Sequence, residues 1–120
     1  MAELIPNPLR LLCRLEDIPD GGAKGFPPAS GAFMGLLAVR QGDGVQVYVN
    51  SCPHLGVPLD WAPDRFLSAD GSHIVCAMHG AVFQIEDGHC IRGPCHGDRL
   101  ERVRAEIRDG AIWVPADAGL

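Results

Sequence analysis

Two segments of the sequence pair a thiol with an imidazole at short range and close on glycine: Cys52-Pro53-His54-Leu55-Gly56 and Cys76-Ala77-Met78-His79-Gly80. The pattern is C-x-H, then 21 residues, then C-x-x-H. Thiolate and imidazole together suit zinc or iron, and two of each complete a set of four ligands. One tetrahedral zinc is usually chelated by arms with about two to four intervening residues, so the one-residue gap of the first arm is a tight fit. Two irons bridged by sulfide match the spacing better, each segment giving its Cys to one iron and its His to the other. A structural zinc site and an accidental quartet are the bland alternatives. Either segment alone is a weak signal; the doubled spacing with paired glycines is specific.

The elements that must position these residues read as β structure. Leu9 to Leu15 is a first strand, followed by a turn-rich connection from Ile18-Pro19-Asp20-Gly21-Gly22 to Pro27-Pro28 that excludes a helix. Leu36 to Arg40 and Val45 to Asn50 form the clearest hairpin, around Gly42-Asp43-Gly44, with Val45, Val47 and Val49 alternating with Gln46, Tyr48 and Asn50. Asp70-Gly71, Asp87-Gly88 and Asp109-Gly110 mark further turn-linked pairs, the last between Val103–Ile107 and Ile112–Val114. Short strands at this regular spacing predict an antiparallel sandwich or barrel rather than α/β units. Each Cys/His segment directly follows a strand, which puts both at one end of a β scaffold.

Composition agrees and narrows the function. A chain of 120 residues with 47% hydrophobic and 21% charged residues is the size of one globular domain. Gly 15 and Pro 10 imply many turns and few long helices. A net charge of −5, with ten basic residues interleaved among acids, argues against a nucleic-acid or anionic-membrane partner and favours a basic one. The longest clean apolar run, Ala32 to Val39, is far short of the ~18 residues a membrane helix requires. The N-terminus carries no basic region, apolar signal core or twin arginine, so a cytoplasmic protein is expected. Five cysteines are an odd count for a secreted disulfide framework; in a reducing compartment such thiols are free, catalytic or metal-bound.

On these residues the chain resembles the Rieske-type [2Fe–2S] proteins, whose pattern is C-x-H-x-G, a spacer, then C-x-x-H-G; here it reads CPHLG and CAMHG. The resemblance covers roughly residues 35–115 and implies a Rieske-like all-β domain, a single unit over 1–120 with a cluster-binding lobe inserted at about 50–96. It implies that Cys52 and Cys76 hold the inner iron while His54 and His79 hold the outer one near solvent. Gly56 and Gly80 would let backbone amides approach the sulfides, and Arg92-Gly93-Pro94 stands where the family has a loop covering the cluster. Respiratory members carry an extra cysteine in each loop and a serine and a tyrosine that donate to the cluster; this sequence has Val57 and Met78, Ala81 and Phe83 instead. Fewer donors leave the reduced cluster less stabilised, so the potential is expected nearer the roughly −150 mV end of the Rieske range than the +300 mV end.

What the resemblance implies for function is a small ferredoxin: a one-electron carrier, without a substrate-transforming site, between a reductase and an oxygenase or other terminal acceptor. No G-x-G-x-x-G follows a strand and no P-loop is present, so the chain does not draw on a nicotinamide by itself. The alternatives are a cluster-bearing redox-sensing or accessory subunit of a larger oxidoreductase, and a zinc-binding interaction module. Among the other residues, Cys13 reads as a small core residue. Cys90 and Cys95, with His89 and His96, imitate a second metal site but read as packing around the proline loop, with a labile disulfide or a redox role as alternatives. Trp61 and Trp113 read as packing aromatics, His73 as a solvent-facing strand residue, and Asp60, Asp64, Glu86 and Asp98 as solvated surface.

Overall fold

The computed structural model describes residues 9–28, 35–53, 59–60, 64–76, 80–93 and 97–116. Its strands are β1 (Leu9–Arg14), β2 (Ala23–Phe26), β3 (Leu36–Gln41), β4 (Gly44–Val49), β5 (His73–Val75), β6 (Val82–Gln84), β7 (Cys90–Arg92), β8 (Arg102–Val103), β9 (Glu106–Arg108) and β10 (Ala111–Pro115). A 3-10 turn, Leu15–Asp17, follows β1. No helix among the described residues is long and apolar enough to cross a membrane.

The strands make three antiparallel sheets, ordered β1-β10-β9, β2-β3-β4-β8 and β5-β6-β7. The second sheet is the middle layer, and its sequence shows why. Leu36-Leu37-Ala38-Val39 is an unbroken apolar run, and alternate side chains of a strand face opposite ways. Leu36 and Ala38, with Val47 and Val49 of β4, therefore pack with Ile112 and Val114 of the first sheet in one core. Leu37 and Val39, with Tyr48, pack with Ile74 and Phe83 of the third sheet and with Ile85 just after β6 in another. The register confirms the sorting, because Leu36 pairs with Val49, Leu37 with Tyr48 and Ala38 with Val47. Each large apolar side chain buried this way contributes about 1.5–3 kcal/mol.

The antiparallel all-β sandwich expected from the sequence is the fold observed, with three departures in detail. The turn-rich connection after Ile18 holds a strand, β2, at the edge of the middle sheet, where the Gly25 N–H donates to the Asp64 carboxylate at 2.8 Å. The stretch Val103 to Ile107 is two strands: β8 pairs with β4 in the middle sheet, and the chain then crosses to β9 in the first. Tyr48, placed by its alternation with valines on the polar side of β4, is fully buried. Its hydroxyl donates to the Ile85 carbonyl at 2.5 Å, which makes a polar side acceptable to the core and ties the middle sheet to the turn after β6. The Asp109-Gly110 turn is as read, both residues at positive φ (54° and 74°), as a type I′ hairpin requires.

Candidate metal centre

The first Cys/His segment leaves the end of β4. Past the strand the Asn50 N–H still donates to the Gly35 carbonyl at 2.9 Å, and the Ser51 N–H then turns back onto the Val49 carbonyl at 2.9 Å. That turn drives Cys52 inward, to 2% exposure, while Pro53 stays outside. The chain re-enters the same core at Leu59, which is fully buried. Between the two, the Asn50 side chain accepts the Leu59 N–H at 2.8 Å and donates to Asp60 at 3.2 Å.

The second segment leaves β5. Cys76 is fully buried, and its N–H donates to the Ala81 carbonyl at 2.8 Å, closing the segment on itself through the backbone. Gly80 lies at the surface with φ +66°. Ala81 and Phe83 are both fully buried. The loop after β7 lies directly against this closure: a Cβ built on Gly93, whose φ is +103°, would stand 2.7 Å from the Ala81 Cα and 3.2 Å from its nitrogen. Only glycine allows that approach.

Cys52 and Cys76 thus reach one apolar core from two different sheets, alongside Leu59, Phe66, Ile74, Ala81 and Phe83 and a third cysteine, Cys90 of β7. Thiol donors are soft ligands, of the kind that suit zinc or an iron–sulfur group. His54 and His79, expected as the other two ligands, lie outside the described residues, as do Gly56, Val57, Trp61, Met78, Cys95 and His96. At Ala81 and Phe83, where the resemblance expects a serine and a tyrosine, this chain carries no hydroxyl. The chain's one tyrosine, Tyr48, is committed to Ile85, and Ser68 and Ser72 are committed to Asp70 at 2.7 Å each.

Cys90 is fully buried, and its Sγ donates to the Arg92 carbonyl at 3.2 Å, which fits the packing reading. His89, the preceding residue of an extended segment, points to the opposite side, so the two do not converge as ligands. Cys13 is half-buried against the core shared by the first and middle sheets; burial first, and then the Asp17 carboxylate, push its thiol pKa up and keep it unreactive. Glu86 and Asp98 are exposed as expected. Asp60 and Asp64 are not merely solvated: each holds a specific hydrogen bond to a neighbouring segment, Asp60 to Asn50 and Asp64 to Gly25. The role of Asn50 escapes a sequence reading that assigns it to a strand end; an amide two residues before Cys52 is the signal that was there to find.

The fold is an all-β domain of three antiparallel sheets with Cys52 and Cys76 buried in one core. The chain belongs to the Rieske [2Fe–2S] domain family, which matches residues 10–107. The family's cofactor is a Rieske-type [2Fe–2S] cluster, which exchanges one electron at a time, and the chain is accordingly an electron-transfer protein. Comparison with curated proteins returns no match. Among solved structures, the chain is similar to a chain of the complex of reduced oxygenase and oxidized ferredoxin in carbazole 1,9a-dioxygenase, with TM-score 0.72, 23% identity, and 93% of this chain and 96% of that one covered. It is similar to the ferredoxin of carbazole 1,9a-dioxygenase from Nocardioides aromaticivorans IC177, with TM-score 0.70, 23% identity, and coverage of 88% and 95%. The terminal oxygenase of carbazole 1,9a-dioxygenase from Novosphingobium sp. KA1 matches with TM-score 0.72 at 16% identity; 90% of this chain covers 29% of that one. At these identities the likeness establishes the fold.

Proposed function

We propose that this chain is a Rieske ferredoxin in which Cys52 and Cys76 ligate one iron and His54 and His79 the other, and that it carries one electron from a reductase to an oxygenase or another terminal acceptor. The observation that carries the reading is the burial of both cysteines, delivered by separate strands, in one core. When bound, the cluster supplies a reversible one-electron redox centre with thiolate on one iron and imidazole on the other. The protein's part is to exclude water from the thiolate side, to hold the two loops at a fixed separation, and to keep hydroxyl donors away. The match over nearly the whole of a ferredoxin-sized chain, against under a third of the oxygenase, supports a carrier that occupies residues 1–120 as one unit and has no substrate-transforming site of its own. A carrier of this kind works in the cytoplasm beside its reductase.

Anaerobically purified protein is the material for the test: visible absorption and EPR before and after dithionite, with iron and sulfide assays. Two irons and two sulfides per chain, with the low average g value of mixed imidazole and thiolate ligation, support the reading. A colourless protein with one bound zinc would instead make the quartet a structural clip.

A further inference from the structure

The two metal-binding segments are closed in different ways. The second is closed by its own backbone, the Cys76 N–H on the Ala81 carbonyl at 2.8 Å. The first is closed by a side chain: the Asn50 amide oxygen takes the Leu59 N–H at 2.8 Å, and its NH2 group reaches Asp60 at 3.2 Å. Asn50 itself is fixed at the end of β4 by its own N–H on the Gly35 carbonyl at 2.9 Å. Cys52 lies two residues after this anchor. Leu59, where the chain returns, is wholly inside the core that holds both cysteines.

We infer that Asn50 is the positioning residue of the first metal-binding segment, holding its departure and its return together through Leu59 and Asp60. The inference rests on the assignment of Cys52 and His54 as ligands. A side-chain amide suits the task because it carries an acceptor and a donor on one planar group, matched here to an N–H and a carboxylate. Leucine in its place would leave the Leu59 N–H without its acceptor inside the core. Aspartate would keep that acceptor but set a second carboxylate against Asp60. The pairing is therefore reciprocal: exchanging the two residues, Asn50→Asp with Asp60→Asn, leaves one amide and one carboxylate facing each other and the net charge unchanged.

The test uses iron-loaded full-length protein. Iron release to a chelator and amide hydrogen exchange at Leu59 are measured for the parent, Asn50→Ala, Asn50→Asp and the double exchange, with global stability from denaturant unfolding. Losing one hydrogen bond of this kind corresponds to about a tenfold change, so Asn50→Ala should accelerate both iron release and Leu59 exchange about tenfold or more. The amides of β10 should keep their protection, Asn50→Asp should fail likewise, and the double exchange should return both rates toward the parent. Unchanged rates in Asn50→Ala, or an acceleration shared equally by all amides, would overturn the inference. Should the parent bind no iron while Leu59 still responds, the ligand assignment fails and the hold of Asn50 on the chain survives. Should iron bind and neither rate respond, the positioning role fails and the ligands stand.

Discussion

Replacing Gly93 by alanine tests how tightly the loop after β7 is pressed onto the metal site. Two penalties act. The backbone sits at φ +103°, where a side chain costs roughly 1–2 kcal/mol. The new methyl would also lie 2.7 Å from the Ala81 Cα and 3.2 Å from its nitrogen and Cβ, atoms of a buried backbone that has little room to give. Forcing a methyl into packed surroundings costs about 1–3 kcal/mol. Gly97 separates the two terms, because its φ is +96° and a Cβ there meets nothing within 4 Å. Gly97→Ala should therefore cost about 1–2 kcal/mol and Gly93→Ala about 2–5 kcal/mol. The unfolded-state gain of a Gly to Ala change is common to both and cancels in the comparison. At about 4 °C per kcal/mol, the melting temperature should fall about 4–8 °C in the first variant and about 8–20 °C in the second. Thermal and urea unfolding of both variants, with bound iron counted, gives the answer. Iron should be lost preferentially from Gly93→Ala, since the strain falls on Ala81, the residue that accepts the Cys76 N–H. Equal destabilisation of the two variants would show that the contact with Ala81 does not exist in solution and would sink the reasoning.

Three further outcomes follow from the same geometry. Burial raises the Tyr48 hydroxyl to about 12, with Asp87 and Glu86 adding to it against Arg102, so its stabilisation is complete below the unfolded value near 10 and lost between roughly pH 10 and 12. At about 1.4 kcal/mol per pH unit that is on the order of 2–3 kcal/mol, and urea titrations should show the stability of the parent falling relative to Tyr48→Phe across this window; a constant difference would count against it. Phe83→Tyr puts a hydroxyl on the inner face of β6, and if it reaches the cluster the potential should rise by about 60–130 mV, the equivalent of a charge-assisted hydrogen bond of about 1.5–3 kcal/mol; voltammetry showing no rise would place Phe83 away from the cluster. Cys76→Ala should abolish iron binding, whereas Cys90→Ala, in the same core, should retain both irons with a loss of about 1 kcal/mol in urea unfolding; iron loss in both would make Cys90 part of the site.

Periodicity and turn chemistry carried most of the fold, and they failed where a residue served two layers. The hairpin of β3 and β4 was legible because its turn and its apolar run are local signals. The burial of Tyr48 was not, because alternation with valines reads as one wet face when both faces of the strand are covered. β2 was hidden by its composition: Ala23-Lys24-Gly25-Phe26 has little strand character, and it is held by pairing to β3 and by Asp64 from 39 residues away. The break between β8 and β9 is likewise a tertiary event, since the chain changes sheets without a turn residue to announce it. At the site, the Cys/His spacing was plain in the sequence, and Cys52 and Cys76 each follow a strand, β4 and β5, as read from it. The partners of Asn50, Asp60 and Asp64 were not legible, because a polar residue's neighbour across a loop leaves no periodic trace.

The outermost strands of the description, β1 and β10, are hydrogen-bonded neighbours, with Leu9 opposite Pro115. They lie in the sheet that shares its core with the far side of the middle layer, away from the core that holds Cys52 and Cys76. Leu9 and Pro115 are therefore neighbours, a whole layer away from the core that holds Cys52 and Cys76. An insertion or a fusion made beside β1 or β10 therefore acts on the far side of the middle sheet and leaves the core of Cys52 and Cys76 untouched.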